Sequence, residues 1–521
     1  MYTFLLVGIS ACSNSFDTHY SEETGVAPGL TLWQLIEQDA NLSKFAEVIK
    51  KTGYDVVLSS SQSFTVWAPD NDDLQDLDMT DVAQLNNIIR THIARFKYVA
   101  DRKTAETVFT MNAKRIPFQY NDGIFTMKGS ELTTLNHLAS NGILHTMKEQ
   151  IPFVKNVWEY LQDMDSVRNY FEAFHTKAFY PSGSKIIDYI KGMPVYDSIF
   201  FEFNEMWNLY RGVGYLNDED SLYTMILPTN AAWRTAYEQR KPYFETWAPD
   251  ADSVQHWNTK YAIVQNLVFR GSLDAPGQKD SLISTRGNVF YHPEHLFPTE
   301  PAKIASNGLV YISDNLEDNY WESWQHPLLV EAERSRITLE KGNEAKIKYT
   351  YLPSNTDIPS KACYLVSSAT NSKTTSTVLF VDIVNTLKAD YNVFAVFAPI
   401  RYTEPNLSKE RTKILYDIQQ LDRTTVEKPV TEQVWRTLVG ASNSGKVPVN
   451  PDNPNDKLYN ETDSVAVKKM LLTRISFPEA NYNEKVTTIR VKLISRISAA
   501  DARNDYNNRM LLDYIILEPV R

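Results

Sequence analysis

The stretch "GASNSGKV" at residues 440–447 has the glycine and lysine spacing of a loop that could bind phosphate. Such a loop needs Ser or Thr after the lysine to bind Mg²⁺, but Val447 follows Lys446. Pro448 and Pro451 also prevent the helix whose N-terminus would complete the site. The sequence therefore predicts no nucleotide site here.

Histidines and carboxylates offer a second source of chemistry. His292 and His295 are three residues apart in "HPEH", but Pro293 disrupts the helical turn that would align two histidines on zinc. Pro454 interrupts the calcium-loop register of the oxygen-rich run at 450–457. Carboxylates are plentiful, and no spacing selects a pair for glycoside hydrolysis. The sequence predicts no metal site, no cofactor and no catalytic residue.

Aromatic residues make up 12% of the chain and are the main candidates for ligand contact. The stretch "YWESWQH" contains Trp321 and Trp324, and "FETWAPDADSVQHWNTKY" contains Trp247 and Trp257. Flat rings beside polar groups contact both sugar faces and protein partners. The same rings could instead lock a domain junction. The sequence leaves both interpretations open, with these four tryptophans as candidate binding residues.

The size and charge of the chain limit the classes of protein that fit. A chain of 521 residues with 43% hydrophobic content exceeds what one core accommodates, so about three domains are expected. The formal net charge is −11. Nucleic-acid binding requires clustered Lys and Arg, which this chain does not gather. We therefore expect no nucleic-acid partner.

The N-terminus begins with an apolar run from Phe4 to Ala11, which is too short to cross a bilayer but typical of an export signal. The segment Ile9–Cys12 resembles the bacterial lipobox, in which the cysteine becomes the lipidated first residue of the mature protein. We expect a lipoprotein signal peptide at 1–12, a lipid on Cys12 and a polar tether at 13–29. No basic residue precedes the run, so we expect a start codon further upstream. The alternative is an ordinary signal with a coincidental cysteine.

The first folded segment is predicted to be an amphipathic helix. Leu42, Phe45, Ala46 and Ile49 recur at the spacing of one helical face, and Gly53 follows as a C-cap. A strand is expected downstream, where apolar residues alternate between Phe64 and Ala68 before Pro69.

These signals occur twice. "NVWEYLQ" at 156 repeats "TLWQLIE" at 31, "YTMILPTN" at 223 repeats "FTVWAPDN" at 64, and "ASNG" occurs at 139 and 305. The Asn-Gly pair in each "ASNG" predicts a turn into a strand. We predict a duplicated domain, with copies at 30–152 and 153–328 and an insertion in the second copy near residues 172–215.

The repeated segments resemble the fasciclin domain. The first copy has Ala68-Pro69-Asp70-Asn71, then His92, then Asn141-Gly142-Ile143-Leu144-His145. In the second copy Tyr311 replaces His145, and Asn266 is predicted to replace His92. The resemblance implies α+β domains that serve adhesion and binding without catalysis. His92 is a further candidate binding residue, and a buried, hydrogen-bonded histidine is the alternative interpretation.

From about residue 329 to 521 the sequence changes to short β-rich runs separated by Asn, Pro and Ser. In "TTIRVKLIS", Ile489, Val491 and Leu493 alternate with Arg490 and Lys492, which predicts a strand with one buried face. Several such runs predict a two-sheet sandwich. The ending "RMLLDYIILEPV" is similar to the last strand of carbohydrate-binding jelly rolls. The expected fold class is multidomain α+β: two tandem fasciclin-like domains followed by an all-β, jelly-roll-like sandwich.

The sequence favours a non-catalytic lipoprotein on the cell surface, anchored in the outer membrane by its lipid. Its expected role is a binding platform within a glycan or nutrient uptake complex, with an outer-membrane transporter and surface lipoproteins as partners and a glycan as candidate ligand. A cell–cell or matrix adhesin is the second hypothesis, and a glycan-active enzyme is the third.

Overall fold

The computed structural model describes residues 29–521 except 180–184, 191–192, 198–199, 209–211, 248–249, 292, 318–319, 333–336, 340–344, 355, 357–361, 369–374, 408–410, 441–448, 451–452, 458–460, 483–486, 496, 505 and 521. Cys12 and nearly all of the predicted tether lie outside the described residues, as do Gly445 and Lys446.

Among the residues that the structure describes, the α-helices all lie before residue 265. They are α1 (Leu32–Gln38), α2 (Ser43–Thr52), α3 (Tyr54–Ser59), α4 (Val82–Thr91), α5 (Val157–Leu161), α6 (Asp165–Glu172), α7 (Asn230–Arg240) and α8 (Ala251–Val264).

Strands occur in all three predicted regions. Those up to residue 313 are β1 (Phe64–Pro69), β2 (Ile93–Arg95), β3 (Ala105–Phe109), β4 (Arg115–Asn121), β5 (Ile124–Met127), β6 (Ser130–Ala139), β7 (Gly142–Met147), β8 (His175–Phe179), β9 (Lys185–Ile190), β10 (Met193–Asp197), β11 (Phe200–Asn204), β12 (Tyr223–Pro228), β13 (Val268–Arg270), β14 (Leu282–Ile283), β15 (Val289–Phe290), β16 (Lys303–Ala305) and β17 (Gly308–Ser313).

The remaining strands are β18 (Leu328–Glu331), β19 (Ile337–Leu339), β20 (Ala345–Tyr351), β21 (Ala362–Ser368), β22 (Val378–Ile383), β23 (Asp390–Phe397), β24 (Ile414–Leu421), β25 (Trp435–Gly440), β26 (Val449–Asn450), β27 (Asn453–Lys457), β28 (Lys468–Ser476), β29 (Ile489–Ser495) and β30 (Met510–Pro519).

Contacts along the chain define two compact units. Unit 1 comprises the described part of Met1–Glu159 together with Asn217–Leu222 and Ile304–Asn307. Unit 2 comprises Tyr160–Leu216, Tyr223–Lys303 and Gly308–Arg521, and so contains the β-rich C-terminal region. The domain boundaries at 152/153 and 328/329 stay predictions.

The first fasciclin-like domain is built on a seven-stranded sheet with strand order β2-β1-β7-β6-β5-β4-β3. The central strands β1 and β7 are parallel, pairing Phe64 with Gly142 and Pro69 with Met147. Every residue of β1 is buried, because Phe64 packs into the core with the helices while Trp67 packs into a second cluster. The sheet is therefore covered on both faces, whereas alternation alone predicts one buried face.

Helix α2 forms where the spacing predicts it. Leu42, Phe45, Ala46 and Ile49 are all buried in the helix–sheet core. Gly53 has φ +73°, the left-handed conformation that glycine adopts without a Cβ penalty, and its N–H bonds to the carbonyls of the last turn. The prediction of this helix and its C-cap is confirmed.

The second copy repeats the central register. Strands β12 and β17 are parallel and pair Tyr223 with Gly308 and Pro228 with Ser313, in a four-stranded sheet of order β13-β12-β17-β16. Two further antiparallel pairs, β8 with β11 and β9 with β10, lie between α6 and β12, within the residues predicted as the insertion. The identical register of the two parallel pairs confirms that the domain is duplicated.

The C-terminal region forms two large sheets, and β26 and β27 pair in a separate two-stranded sheet. One large sheet has the order β20-β21-β30-β23-β28, with β18 also pairing with β30, and the other has the order β19-β22-β29-β24-β25. Ile489, Val491 and Leu493 of β29 are buried in the core, while Arg490 and Lys492 are partly exposed. The predicted all-β sandwich is confirmed.

Candidate functional site

Four rings form a surface row in the second fasciclin-like domain, hereafter the aromatic row: Tyr237 on α7, His256 and Trp257 on α8, and Phe174 just beyond α6. The ring centroids of Tyr237 and His256 are 5.5 Å apart, those of His256 and Trp257 6.1 Å, and those of Trp257 and Phe174 5.4 Å. Trp257 is 37% exposed, and the other three rings are half-buried. This is an accessible aromatic surface.

Buried residues hold the row in place. Thr229 caps α7 by accepting a hydrogen bond from the N–H of Ala232, which sets the start of that helix. Tyr170 of α6 is 2% exposed and lies beneath Trp257, with ring centroids 5.7 Å apart. The Tyr237 hydroxyl and His256 Nδ1 are hydrogen-bonded at 3.0 Å, which ties α7 to α8. Side chains fixed in this way lose less entropy on binding than free ones.

Two cations lie beside the row, near Tyr237 and Trp257. Lys241 Nζ lies 5.9 Å from the Tyr237 ring centroid, and Lys260 Nζ lies 5.5 Å from that of Trp257. Burial lowers the pKa of His256, and the positive charges of Lys260 and Lys241 lower it further. Burial also raises the pKa of Tyr237, with a smaller contribution from Glu238. Within the described residues neither lysine has an ion-pair partner.

The predicted tryptophans differ in how accessible they are. Trp324 is 6% exposed and belongs to the sandwich core, with its ring centroid 5.0 Å from that of Tyr243 and 5.8 Å from that of Phe244. It therefore locks a junction within unit 2 and cannot present a face to a sugar, which corrects the prediction. Trp321 and Trp247 are half-buried and lie outside the aromatic row. Of the four, Trp257 is the one in the row.

His92 is fully buried, and its role is structural. Its Nε2 accepts a hydrogen bond from the Ile151 N–H at 3.0 Å, so the ring proton lies on Nδ1, which donates to the Trp67 carbonyl at 2.7 Å. Burial lowers the pKa of His92 to about 4. The candidate binding role of His92 is corrected: the imidazole links backbone groups and does not reach solvent.

His145 makes a related link. Its Nδ1 accepts from the Asn136 N–H at 3.3 Å, and its Nε2 donates to the Tyr98 carbonyl at 3.0 Å. The ring stacks on Trp67 with centroids 5.7 Å apart and an angle of 15° between the planes. Burial lowers the pKa of His145 to about 4. Both family-motif histidines of this copy are therefore neutral internal groups.

The register identifies their counterparts in the second copy. Trp67 pairs with His145 and Ile226 pairs with Tyr311, so the prediction that Tyr311 replaces His145 is confirmed. On the other side of the sheet, Val66 pairs with Ile93, while Met225 pairs with Val268. The residue before each partner is His92 in one copy and Leu267 in the other. The predicted replacement, Asn266, is therefore wrong by one position.

Most of the row was missed by sequence reasoning. Phe174, Tyr237 and Trp257 are far apart in sequence and meet only because α6, α7 and α8 pack together. A partial signal exists in "HWNTK", where His256 and Lys260 are four residues apart and so share one helix face.

Across the described ranges, no three His, Cys, Asp or Glu side chains converge in a way that could hold a metal ion. No helix in the part of the chain that the structure describes is long and apolar enough to cross a membrane.

Comparison with known families assigns the first copy. Residues 40–151 match the family described as Fasciclin domain. This region is a fasciclin domain, which is a non-enzymatic module of adhesion and binding. The second copy repeats its central strand register, so the chain carries a fasciclin-like pair followed by a β sandwich.

No curated protein matches the chain. Among solved structures, the chain is similar to a FAS1 domain pair from the insect cell adhesion molecule Fasciclin I, with 15% identity over 54% of this chain and 98% of that chain and a TM-score of 0.21. It is also similar to the CBM27-1 module of Caldicellulosiruptor saccharolyticus in complex with mannohexaose, with 13% identity over 37% of this chain and 95% of that one and a TM-score of 0.18.

Proposed function

We propose that this protein is a non-catalytic lipoprotein of the outer membrane, anchored through Cys12, that acts as a binding platform on the cell surface. We further propose that it is an accessory component of a glycan or nutrient uptake complex. Its partners there are an outer-membrane transporter and associated surface lipoproteins, and its ligand is a glycan.

The observation that carries the proposal is the aromatic row on a domain that repeats the central strand register of the fasciclin domain at residues 40–151, and fasciclin domains serve adhesion and binding. Exposed rings fixed by buried neighbours are a common means of gripping sugars and partner proteins. The apolar N-terminal run and Cys12 support export and lipid attachment. Several acyl chains, each contributing about 0.8 kcal/mol per buried methylene, would hold such a protein firmly on a membrane.

A lipidation experiment tests the anchor. We expect the full chain, expressed with a complete signal peptide, to partition into detergent and to incorporate labelled palmitate. Cys12→Ala should do neither, while Cys363→Ala, which changes a buried cysteine of β21, should behave like the wild type. Equal labelling of the Cys12→Ala variant and the wild type would disprove the anchor.

A second experiment tests the complex. We expect a transporter and further surface lipoproteins to co-purify when the protein is extracted from its native membrane in mild detergent. The competing hypothesis is an adhesin, which the family's adhesion role favours. Purification without a transporter, combined with loss of cell aggregation on deletion, would support the adhesin and refute the uptake complex.

A further inference from the structure

We infer that the aromatic row binds a polysaccharide whose sugars carry carboxylates, such as a chain of uronic acids. This inference rests on the proposed binding function and names the chemical class of the ligand and the surface that takes it. It commits to a carbohydrate because the row offers adjacent aromatic rings, and to an acidic one because Lys241 and Lys260 lie beside Tyr237 and Trp257.

The rings offer several adjacent apolar contacts. Tyr237, His256, Trp257 and Phe174 follow one another with centroid separations of 5.5, 6.1 and 5.4 Å, and neighbouring rings meet edge to face at 68°, 72° and 65°. The C–H face of a pyranose packs on an aromatic ring, and the exposed ring of Trp257 is open to such a contact. The half-buried rings beside it extend the apolar contact to neighbouring sugars of a chain.

The charges select for carboxylates. The whole chain has a net charge of −11, which disfavours anionic ligands over most of its surface. At the row, Lys241 and Lys260 lie beside Tyr237 and Trp257 and have no ion-pair partner among the described residues, so their charges are available to a ligand. Both charges also act on His256 between them. Glu238 is a carboxylate that acts on the Tyr237 ring.

The test uses ligands that differ only in charge. The full chain is titrated by calorimetry with oligomers of galacturonic acid and with the same oligomers after methyl esterification, which removes the charge and keeps the ring. Oligomers of mannuronic and glucuronic acid extend the test to other uronates. We expect at least one acid form to bind and its methyl ester to bind at least about tenfold more weakly. Binding of the acid form should also weaken as salt is raised.

Two kinds of variant locate the site. Trp257→Ala should weaken binding at least about tenfold, because it removes the most exposed ring. Lys260→Gln keeps the packing of α8 and should weaken binding about threefold to fivefold, towards the acid form only. Matched controls are Tyr291→Ala, whose ring is 62% exposed outside the row, and Lys303→Gln, also exposed. Neither should change binding.

Three results would overturn the inference. Binding to none of the uronate oligomers rejects the ligand class. Equal binding of acid and methyl ester rejects the role of charge, and unchanged binding by both Trp257→Ala and Lys260→Gln rejects the site. If a transporter nevertheless co-purifies from native membranes, the proposed function stands while this inference fails, so the two failures can be told apart.

Discussion

The two fasciclin-like copies agree in the residues that fix the backbone and differ in those that fill the space beside it. Asn141 accepts a hydrogen bond from the Leu32 N–H and donates to the Leu58 and Ser60 carbonyls. Asn307 likewise accepts from the Val157 N–H and donates to a backbone carbonyl. In both copies, the asparagine before the glycine ties the strand entry to the start of a helix.

The side chains that form internal hydrogen bonds differ between the two copies. The first copy uses the imidazoles of His92 and His145 to link backbone groups, whereas the second copy has Leu267 and Tyr311 at these positions. The Tyr311 hydroxyl lies 2.9 Å from the Leu273 carbonyl, so a phenol takes over part of this role. The fold therefore depends on its turns and caps, while the polar groups inside it can be exchanged.

The largest expected loss of stability comes from adding a Cβ at the glycine that begins β7 in the first copy or β17 in the second. A Cβ on Gly142 would lie 2.0 Å from the Phe64 carbonyl oxygen, and one on Gly308 would lie 1.8 Å from that of Tyr223. Backbone atoms cannot yield at such distances, so we expect Gly142→Ala and Gly308→Ala each to cost more than about 3 kcal/mol. Limited proteolysis of the full chain should show cleavage within the affected copy.

Glycines in open space provide the controls. Gly123 and Gly271 have φ +90° and +85°, and a Cβ on either would meet nothing within 4 Å. Alanine there adds only backbone strain of about 1–2 kcal/mol. If Gly308→Ala proved as mild as Gly271→Ala, the second copy would not share the close approach of the first.

Acid should affect the copies differently. Burial lowers the pKa of His92 and of His145 from 6.5 to about 4. Between these values the unfolded chain binds more protons than the folded one, so the stability of the first copy falls as the pH falls from 6.5 towards 4. At pH 5 the expected loss is about 2 kcal/mol for each histidine, from a difference of roughly 1.5 pH units.

Hydrogen exchange with mass spectrometry can resolve the copies within the full chain. We expect amides of β1 and β7 to lose protection between pH 7 and pH 5, after correction for intrinsic exchange, while those of β12 and β17 change less. His92→Leu, which introduces the residue of the second copy, should remove the part of the acid sensitivity that His92 contributes. It should also cost about 2 kcal/mol at pH 7, because the Trp67 carbonyl and the Ile151 N–H lose their partner. Equal acid sensitivity of both copies would contradict this explanation.

Local sequence patterns predicted the backbone correctly at positions where a residue type has a single backbone role. Gly53 predicted a helix end, and Asn141 predicted the turn into β7. Tyr311 was assigned correctly from its position in a short motif. The same kind of assignment was wrong by one residue at Leu267, because no Gly or Pro marks the end of α8 or the start of β13.

The site was harder to predict than the fold because burial depends on tertiary contacts. Trp257 and Trp324 have similar polar neighbours in sequence, yet one is 37% exposed and the other 6%. Trp324 is buried by Tyr243 and Phe244, which lie about eighty residues away in the chain. No local sequence pattern predicts such a contact. Aromatic residues in the sequence are therefore only candidates for a binding surface, and tertiary packing determines which of them are exposed.

The smallest expected effect concerns the asparagine that follows β1 and β12 in each copy. Asn71 Oδ1 accepts from the Lys44 N–H at 2.8 Å, and its Nδ2 donates to the Ala40 carbonyl at 2.7 Å. Asn230 Oδ1 accepts from the Ser166 N–H at 2.9 Å. Both therefore cap the N-terminus of a preceding helix, α2 in one copy and α6 in the other, but Asn71 makes the additional bond.

We expect Asn71→Ala to cost about 1–2 kcal/mol and Asn230→Ala about 1 kcal/mol or less. Asn71→Asp, which keeps the acceptor and loses the donor, should fall between Asn71→Ala and the wild type. Exchange of the α2 and α6 amides would measure each cost, and a larger loss for Asn230→Ala than for Asn71→Ala would show that hydrogen-bond number does not set the strength of this cap.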